Sequence, residues 1–163
     1  SMDLVWSRLK SLGQLANRQI HEVSYLLVHN KLPIQERLFR IGLARDPYCD
    51  VCSAGLDQDV LHYFSKCDRI QDFWRWLRTI LYLIMGAQAN LILDVDLLSF
   101  SWRRSTRDRE ITWLVSCFVW FVWESLERRG LADINGRELF GFLRFKYKEA
   151  LRRGMIVEIP GLI

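Results

Sequence analysis

Apolar residues recur at helical spacing along almost the whole chain. From Asp3 to Leu12, the positions Leu4, Val5, Leu9 and Leu12 mark one face of a helix, and Gly13 offers a stop. A second helix is expected from about Asn17 to Asn30, with Ile20, Val23, Tyr25 and Leu27 as its apolar contacts. Pro33 suits the first turn of a third, where its missing N–H costs nothing, and this helix carries Leu38, Phe39 and Leu43 on one side before Gly42 and Asp46-Pro47 end it. Asp57 is placed to cap a short helix holding Val60, Leu61, His62 and Phe64.

The second half repeats the pattern on a larger scale. Arg69 to Met85 sets Ile70, Phe73, Trp74, Leu77, Leu81 and Ile84 on one broad face, Gly86 to Asn90 reads as a turn, and Leu91 to Phe100 as a short helix rather than a strand. A long helix from about Thr106 to Arg129 opens on Asp108 and Glu110 and closes on Arg128 and Arg129, the polarity that a helix dipole favours. The last helix spans about Asn135 to Arg153, with Gly154 just past it. The expectation is an all-α fold of about six to eight helices in one domain over 1–163, with helices in 1–46, a knuckle in 47–68 and helices again in 69–163.

Composition supports a packed core. Half of the 163 residues are hydrophobic and seven are Trp, which excludes the signature of a disordered chain. The longest apolar run, Ile111 to Trp123, is shorter than the roughly 20 residues a membrane span needs and is flanked by charge, so it reads as a buried core helix. The formal net charge of +4 points only mildly to polyanionic partners. Ser1 ahead of Met2 has the look of a tag-cleavage remnant, and the expectation is a piece of something longer. A reducing compartment, nucleus or cytoplasm, suits its free cysteines.

Three of the four cysteines crowd into a short stretch, and this is metal spacing rather than a disulfide framework. Cys49 and Cys52 lie on one tight turn, and His62 and Cys67 return to complete four N or S donors, the set zinc takes in a tetrahedron. Such a site is closed: it leaves no position for water and so is structural, not catalytic. His21 and His29 are the rival fourth ligands, each on a helix among apolar residues. Cys117, in the most apolar helix, is expected to be a buried and inert thiol.

The stretch from Leu27 to Leu81 carries "HNKLP", "ERL", "YCDVC", "LHYFSKC" and an "FW" helix in order. It resembles the zinc-binding domain that follows the reverse transcriptase in LINE-type non-LTR retrotransposons. The resemblance implies Cys49, Cys52, His62 and Cys67 as ligands of one structural zinc, RNA or DNA as partner, and a longer parent that is an RNA-directed DNA polymerase. The family commonly has Glu a few residues before the His, where this chain has Asp57, Gln58 and Asp59. A Tyr followed by two Asp, the polymerase signature, occurs nowhere, and no nuclease set of spaced acidic and Lys residues follows Cys67. The chain is therefore expected not to be an enzyme.

Basic residues suggest where nucleic acid would bind. The last helix and its end hold Arg137, Arg144, Lys146, Lys148, Arg152 and Arg153 against Glu138 and Glu149, a net +4, with Arg144, Lys148 and Arg152 at four-residue intervals. Leu139, Phe142, Leu143, Tyr147 and Leu151 are left to face the core. A second cluster is Arg103, Arg104, Arg107 and Arg109, beside Trp102 as a stacking partner for a base. A third gathers Arg37, Arg40, Arg45, Lys66 and Arg69 around the zinc segment. The alternative is a protein-interaction or homodimeric self-association module, including one in a host gene derived from such an element, motivated by the many aromatics and the apolar tail Ile156 to Ile163.

Elemental analysis is expected to find one zinc per chain. Because zinc bound to peptide-sized sites contributes about 10 to 16 kcal/mol of apparent binding, chelation should unfold at least Pro47 to Asp68. A metal-free protein with an unchanged melting curve would contradict the site.

Overall fold

The computed structural model describes residues 2–52, 54–130 and 134–162; Ser1 and Ile163, which figure in the expectations above, lie outside them. Among the described residues the chain forms α1 (Met2–Leu15), α2 (Arg18–Val28), α3 (Gln35–Arg40), α4 (Gln71–Met85), α5 (Asp94–Leu98), α6 (Asp108–Trp123) and α7 (Gly136–Arg152). Two π-turns, His62–Lys66 and Glu124–Arg128, and a 3₁₀ turn, Gly86–Leu91, join them. The only extended pairing among the described residues is an isolated bridge between Tyr48 and Asp57. The fold is all-helical, as the apolar periodicity implied.

Helix α6 is the centre of the domain. Nearly every residue from Glu110 to Trp123 is buried, and α1, α2, α4 and α7 all pack on it. The apolar run is thus a core helix surrounded by amphipathic ones, and no described helix is long and apolar enough to cross a membrane. Trp74 of α4 meets Phe118 edge-on, and Trp113 meets Tyr147 of α7. Leu139, Leu143 and Tyr147 are buried and Phe142 and Leu151 half-buried, the α7 face expected to look inward. Cys117 is enclosed, and burial pushes its thiol up to about 12, so it is inert.

Local differences from the expected elements have physical causes. Gly13 does not stop α1, which runs on to the buried Leu15, and Asn17 instead caps α2 by accepting from the Ile20 N–H at 2.9 Å. Helix α3 is short and buries none of its residues; Phe39 lies half in water and Leu43 beyond it is 74% exposed. The cap before His62 is Asp59, whose Oδ1 accepts from the His62 N–H at 2.8 Å, while Asp57 is taken by the bridge to Tyr48. The apolar tail is largely consumed by the core. Ile156 and Ile159 are buried, and the Tyr147 hydroxyl accepts from the Ile159 N–H at 2.8 Å.

One buried cation ties the two halves together. Arg8 of α1 is 2% exposed, and its guanidinium donates twice to the Asp108 carboxylate, at 2.7 and 2.8 Å, one hundred residues away. It also donates to the carbonyls of Phe100 and Trp102 at 2.9 and 2.7 Å and stacks 3.9 Å from the Trp102 ring centroid. A buried charge is tolerated only when its donors are satisfied in this way. Burial alone would raise the Asp108 carboxyl, but the Arg8 donors, the Ser105 N–H and the Trp102 indole outweigh it and hold its pKa below the usual range. Its contribution to stability is therefore present above the unfolded-state carboxyl pKa and is lost as pH falls through the depressed folded value.

Arg8→Ala leaves Asp108 without its counter-ion and removes the packing on Trp102. It should cost about 3 to 5 kcal/mol in chemical denaturation of the zinc-loaded protein. A loss below about 1 kcal/mol, the size of a surface pair, would show the linkage to be marginal.

Candidate metal centre

The segment that carries the first two cysteines has little core of its own. Tyr48, Asp50, Val51 and residues 54–57 are exposed, and the loop is closed by two backbone bonds, Cys49 N–H to the Leu56 carbonyl (2.9 Å) and Gln58 N–H to the Pro47 carbonyl (2.8 Å). Gly55, at φ +66°, supplies the left-handed residue that the return needs. Within the turn, the N–H groups of Val51 and Cys52 favour the Cys49 thiolate.

The other two ligands are brought together by the π-turn. Five residues apart on an α-helix, His62 and Cys67 would diverge by about 140°. Widening the turn, so that the Cys67 N–H bonds the His62 carbonyl at 2.9 Å, returns both to one side. The Cys67 carbonyl then accepts from the N–H groups of Ile70 and Gln71, at 2.8 and 2.9 Å, so this ligand sits directly at the start of α4. Tyr63, fully buried inside the turn, packs on Phe64 and Trp123 and donates to Glu127 at 3.0 Å, which anchors the turn on the end of α6. Next to the Glu127 carboxylate, in a buried position, the phenol is pushed far above its ordinary pKa and stays protonated.

Four donors converge. One ligand atom from each of Cys49, Cys52, His62 and Cys67 lies within 4.8 Å of all the others. The Cys49 and Cys67 sulfurs are 3.9 Å apart, and the Cys52 sulfur is 3.3 Å from His62 Nε2. A zinc tetrahedron with Zn–S of about 2.3 Å and Zn–N of about 2.0 Å has edges of roughly 3.8 and 3.5 Å, so the set fits one zinc with no place left over. Cys49, His62 and Cys67 are buried and Cys52 half-buried. His29, the rival ligand, instead lies against Tyr25 and Trp6, with ring centroids 4.2 and 5.4 Å away, and His21 is likewise outside the cluster.

Electrostatics prepare the site. Burial opposes ionisation of Cys49, yet the donors from Cys52, Val51, Gln58 and Cys67 outweigh it and its pKa falls below the ordinary value. Cys67 is pushed up to about 11 by burial and by its neighbour Cys49, although the Arg69 N–H favours its thiolate. Burial lowers the His62 pKa and so favours the neutral imidazole that a metal needs; the charge of Arg69 adds to this and Asp59 opposes it. Three thiolates around a divalent ion leave one net negative charge, and Arg69, held 5.0 Å from the Tyr63 ring centroid, is the cation next to it.

Gln58 supports the ligands from outside. It is buried, its Nε2 donates to the Cys49 sulfur at 3.6 Å, and its Oε1 and main-chain carbonyl accept from the N–H groups of Gln35 and Glu36, at 3.0 and 3.1 Å. It therefore caps α3 and orients a ligand with one side chain. The signal available in the sequence was its place four residues before His62, where a buried polar residue has only the ligands and the neighbouring helix to serve.

The basic candidates differ in what they touch. Around the zinc segment, Arg40 pairs with Glu36 (2.8 Å), Lys66 with Asp94 (3.0 Å), and Arg69 packs on Tyr63, whereas Arg37 and Arg45 have no carboxylate within 4.0 Å among the described residues. Arg107 is structural: its Nε meets the buried Glu110 at 2.6 Å and its Nη2 donates to the Glu158 carbonyl. Arg103, Arg104 and Arg109 are exposed, the first two at the rim of a cavity of about 590 Å³. Trp102 is no stacking partner for a base, because it is 1% exposed, lies under Arg8 and donates its indole N–H to Asp108 at 3.1 Å. Arg144, Lys148 and Arg152 all face solvent on α7, and none has a carboxylate within 4.0 Å among the described residues.

A helical domain built around a closed Cys₃His site belongs to the class of structural zinc modules. More narrowly, residues 4–74, from α1 through the site to Trp74 of α4, match the family described as zinc-binding in reverse transcriptase. This segment is thus a zinc-binding, reverse-transcriptase-associated domain and not the polymerase's catalytic region. Comparison with curated proteins and with solved structures returned no match.

Gln58→Leu keeps the volume and the main-chain bond to Glu36 but removes both the donor to Cys49 and the side-chain acceptor for the Gln35 N–H, and it should weaken zinc about 10- to 100-fold in chelator competition. Zinc and protons compete for the same thiolates and imidazole, so acidification must weaken binding. Because burial depresses the His62 pKa and raises that of Cys67, protonation of thiolate rather than of imidazole should dominate the loss. Release that follows an ordinary His titration would contradict this.

Proposed function

We propose that this domain is a non-catalytic, zinc-stabilised module that binds RNA or DNA and helps a reverse transcriptase engage its template RNA or target DNA. The observation that carries the reading is the row of Arg144, Lys148 and Arg152, exposed along α7 with no carboxylate neighbours among the described residues. Unpaired cations on a helix neutralise phosphates without first breaking an ion pair, and they bind through counterion release rather than base readout. The reverse-transcriptase association of residues 4–74 supports a nucleic-acid partner, since the polymerase works on one. Arg37 and Arg45 near the zinc, with Arg103 and Arg104, are candidate secondary contacts. Such a partner would place the protein in the nucleus, the cytoplasm or both.

A second reading rests on a different surface. Phe39 in α3, Ile41 and Leu43 after it, and Tyr48, Val51 and Leu56 on the knuckle are all exposed apolar side chains. They would suit a contact with the remainder of a reverse transcriptase polypeptide or with a second copy. The aromatics that motivated this alternative are mostly used elsewhere, since Trp74, Trp102, Trp113 and Trp123 are buried.

The two readings part on one experiment. Arg144→Glu combined with Lys148→Glu should weaken binding to RNA and DNA and flatten the dependence of log affinity on log salt, by about 0.7 to 0.9 for each phosphate that is no longer neutralised. Unchanged nucleic-acid affinity and salt slope would transfer the function to the apolar surface.

A further inference from the structure

Between α4 and the start of α7 lies an open slot of about 290 Å³, lined by Asp72, Phe73, Trp76, Gly136, Leu139 and Phe140. Its walls are aromatic and incompletely buried: Phe73 and Trp76 are half-exposed, and Phe140 is 45% exposed. The Trp76 and Phe140 rings stand edge to face with centroids 6.1 Å apart. Gly136 lies at the floor, where a Cβ would stand in van der Waals contact with Phe73 Cε1, at 3.4 Å. The volume is at the small end of ligand pockets, enough for one planar ring system.

The slot opens onto the basic row. Arg137, Phe140, Arg144 and Lys148 follow the i, i+3, i+7, i+11 spacing of a single helix stripe, so the ring that closes the slot stands among the cations. The two acidic side chains nearby are already engaged, Asp72 with Arg75 at 2.9 Å and Glu138 with Arg129 at 3.2 Å. On the other edge of the stripe Phe145 is 62% exposed between Arg144 and Lys148. Aromatic rings set among unpaired cations suit a ligand that is both anionic and flat.

We propose that this slot receives an unpaired base of single-stranded RNA or DNA while Arg137, Arg144 and Lys148 hold the adjoining phosphates. The inference rests on the reading of α7 as a nucleic-acid surface and adds to it a strand preference. In a duplex the bases are stacked inside and cannot enter; in a single strand they splay out and stack on aromatic rings.

The test measures fluorescence anisotropy of the zinc-loaded protein with a uridine-rich RNA, a thymidine-rich single-stranded DNA and a DNA duplex at one salt concentration. Base stacking is worth about 1 to 3 kcal/mol per base, so Phe140→Ala should weaken both single strands roughly 5- to 150-fold and leave the duplex unchanged. Phe140→Tyr should restore binding, and Gly136→Leu, which fills the slot without removing a ring, should repeat the loss. Equal loss on all three ligands, or no loss on any, overturns the slot. If Arg144→Glu with Lys148→Glu removes binding of every ligand while Phe140→Ala and Gly136→Leu change nothing, the slot falls and the α7 surface stands. If the charge reversals leave all binding intact, the surface itself falls and the slot with it. Zinc content and melting temperature, which the exposed Phe140 should not govern, report whether each variant is folded.

Discussion

Closing four ligands around one ion is the constraint on which the zinc segment depends. Among the described residues between Pro47 and Gln58 the chain buries almost nothing except Cys49 and Gln58, and the two backbone bonds described there are too few to hold a loop of that length against its conformational entropy. Zinc supplies what a core would supply elsewhere, and its effect extends past the loop. The ligand Cys49 is oriented by the residue that caps α3, His62 and Cys67 fix the π-turn, and Cys67 starts α4. Two helices and the π-turn between them therefore take their relative positions from one site.

The site would be an isolated knuckle if it were not attached to a larger core. Tyr63 plugs the π-turn into the end of α6, and Arg8 fastens α1 to the loop that leads into the same helix. Both links are buried polar interactions in which every donor or acceptor named above has a partner, so they specify geometry as well as stability. Residues 4–74 are thus continuous with the helices that follow them, and α7, with its cations facing out, is held by the same α6 core that holds the zinc segment.

Much of this was readable in the chain, for identifiable reasons. Amphipathic helices longer than about ten residues announce themselves because each must bury one stripe, as α1, α2, α4 and α7 do, whereas α6, buried all round, shows as a continuous apolar run. The four ligands were readable because zinc restricts both residue type and spacing. What escaped depends on partners distant in sequence or on backbone geometry. Nothing near Arg8 indicates that Asp108 waits one hundred residues away, and Trp102 reads as free because the Arg8 that covers it is equally distant in the chain. The π-turn has no periodicity of its own, and Asp57, Gln58 and Asp59 are similar polar residues whose roles in bridge, outer support and cap separate only in three dimensions. Phe39 and Leu43 follow a helical pattern, yet α3 is too short and too peripheral to bury them.

The chemistry that follows is architectural. Zinc sits where it can organise helices and has no open position from which to activate water, so function lies on the surfaces it positions. Cobalt substitution tests that account most directly. One Co²⁺ per chain should give the intense visible absorption of a tetrahedral ion together with thiolate-to-cobalt charge transfer from three sulfurs, and added azide should leave the spectrum unchanged. A weak octahedral spectrum, or a shift on adding azide, would mean that the coordination sphere is open and that the site is not the closed joint described above.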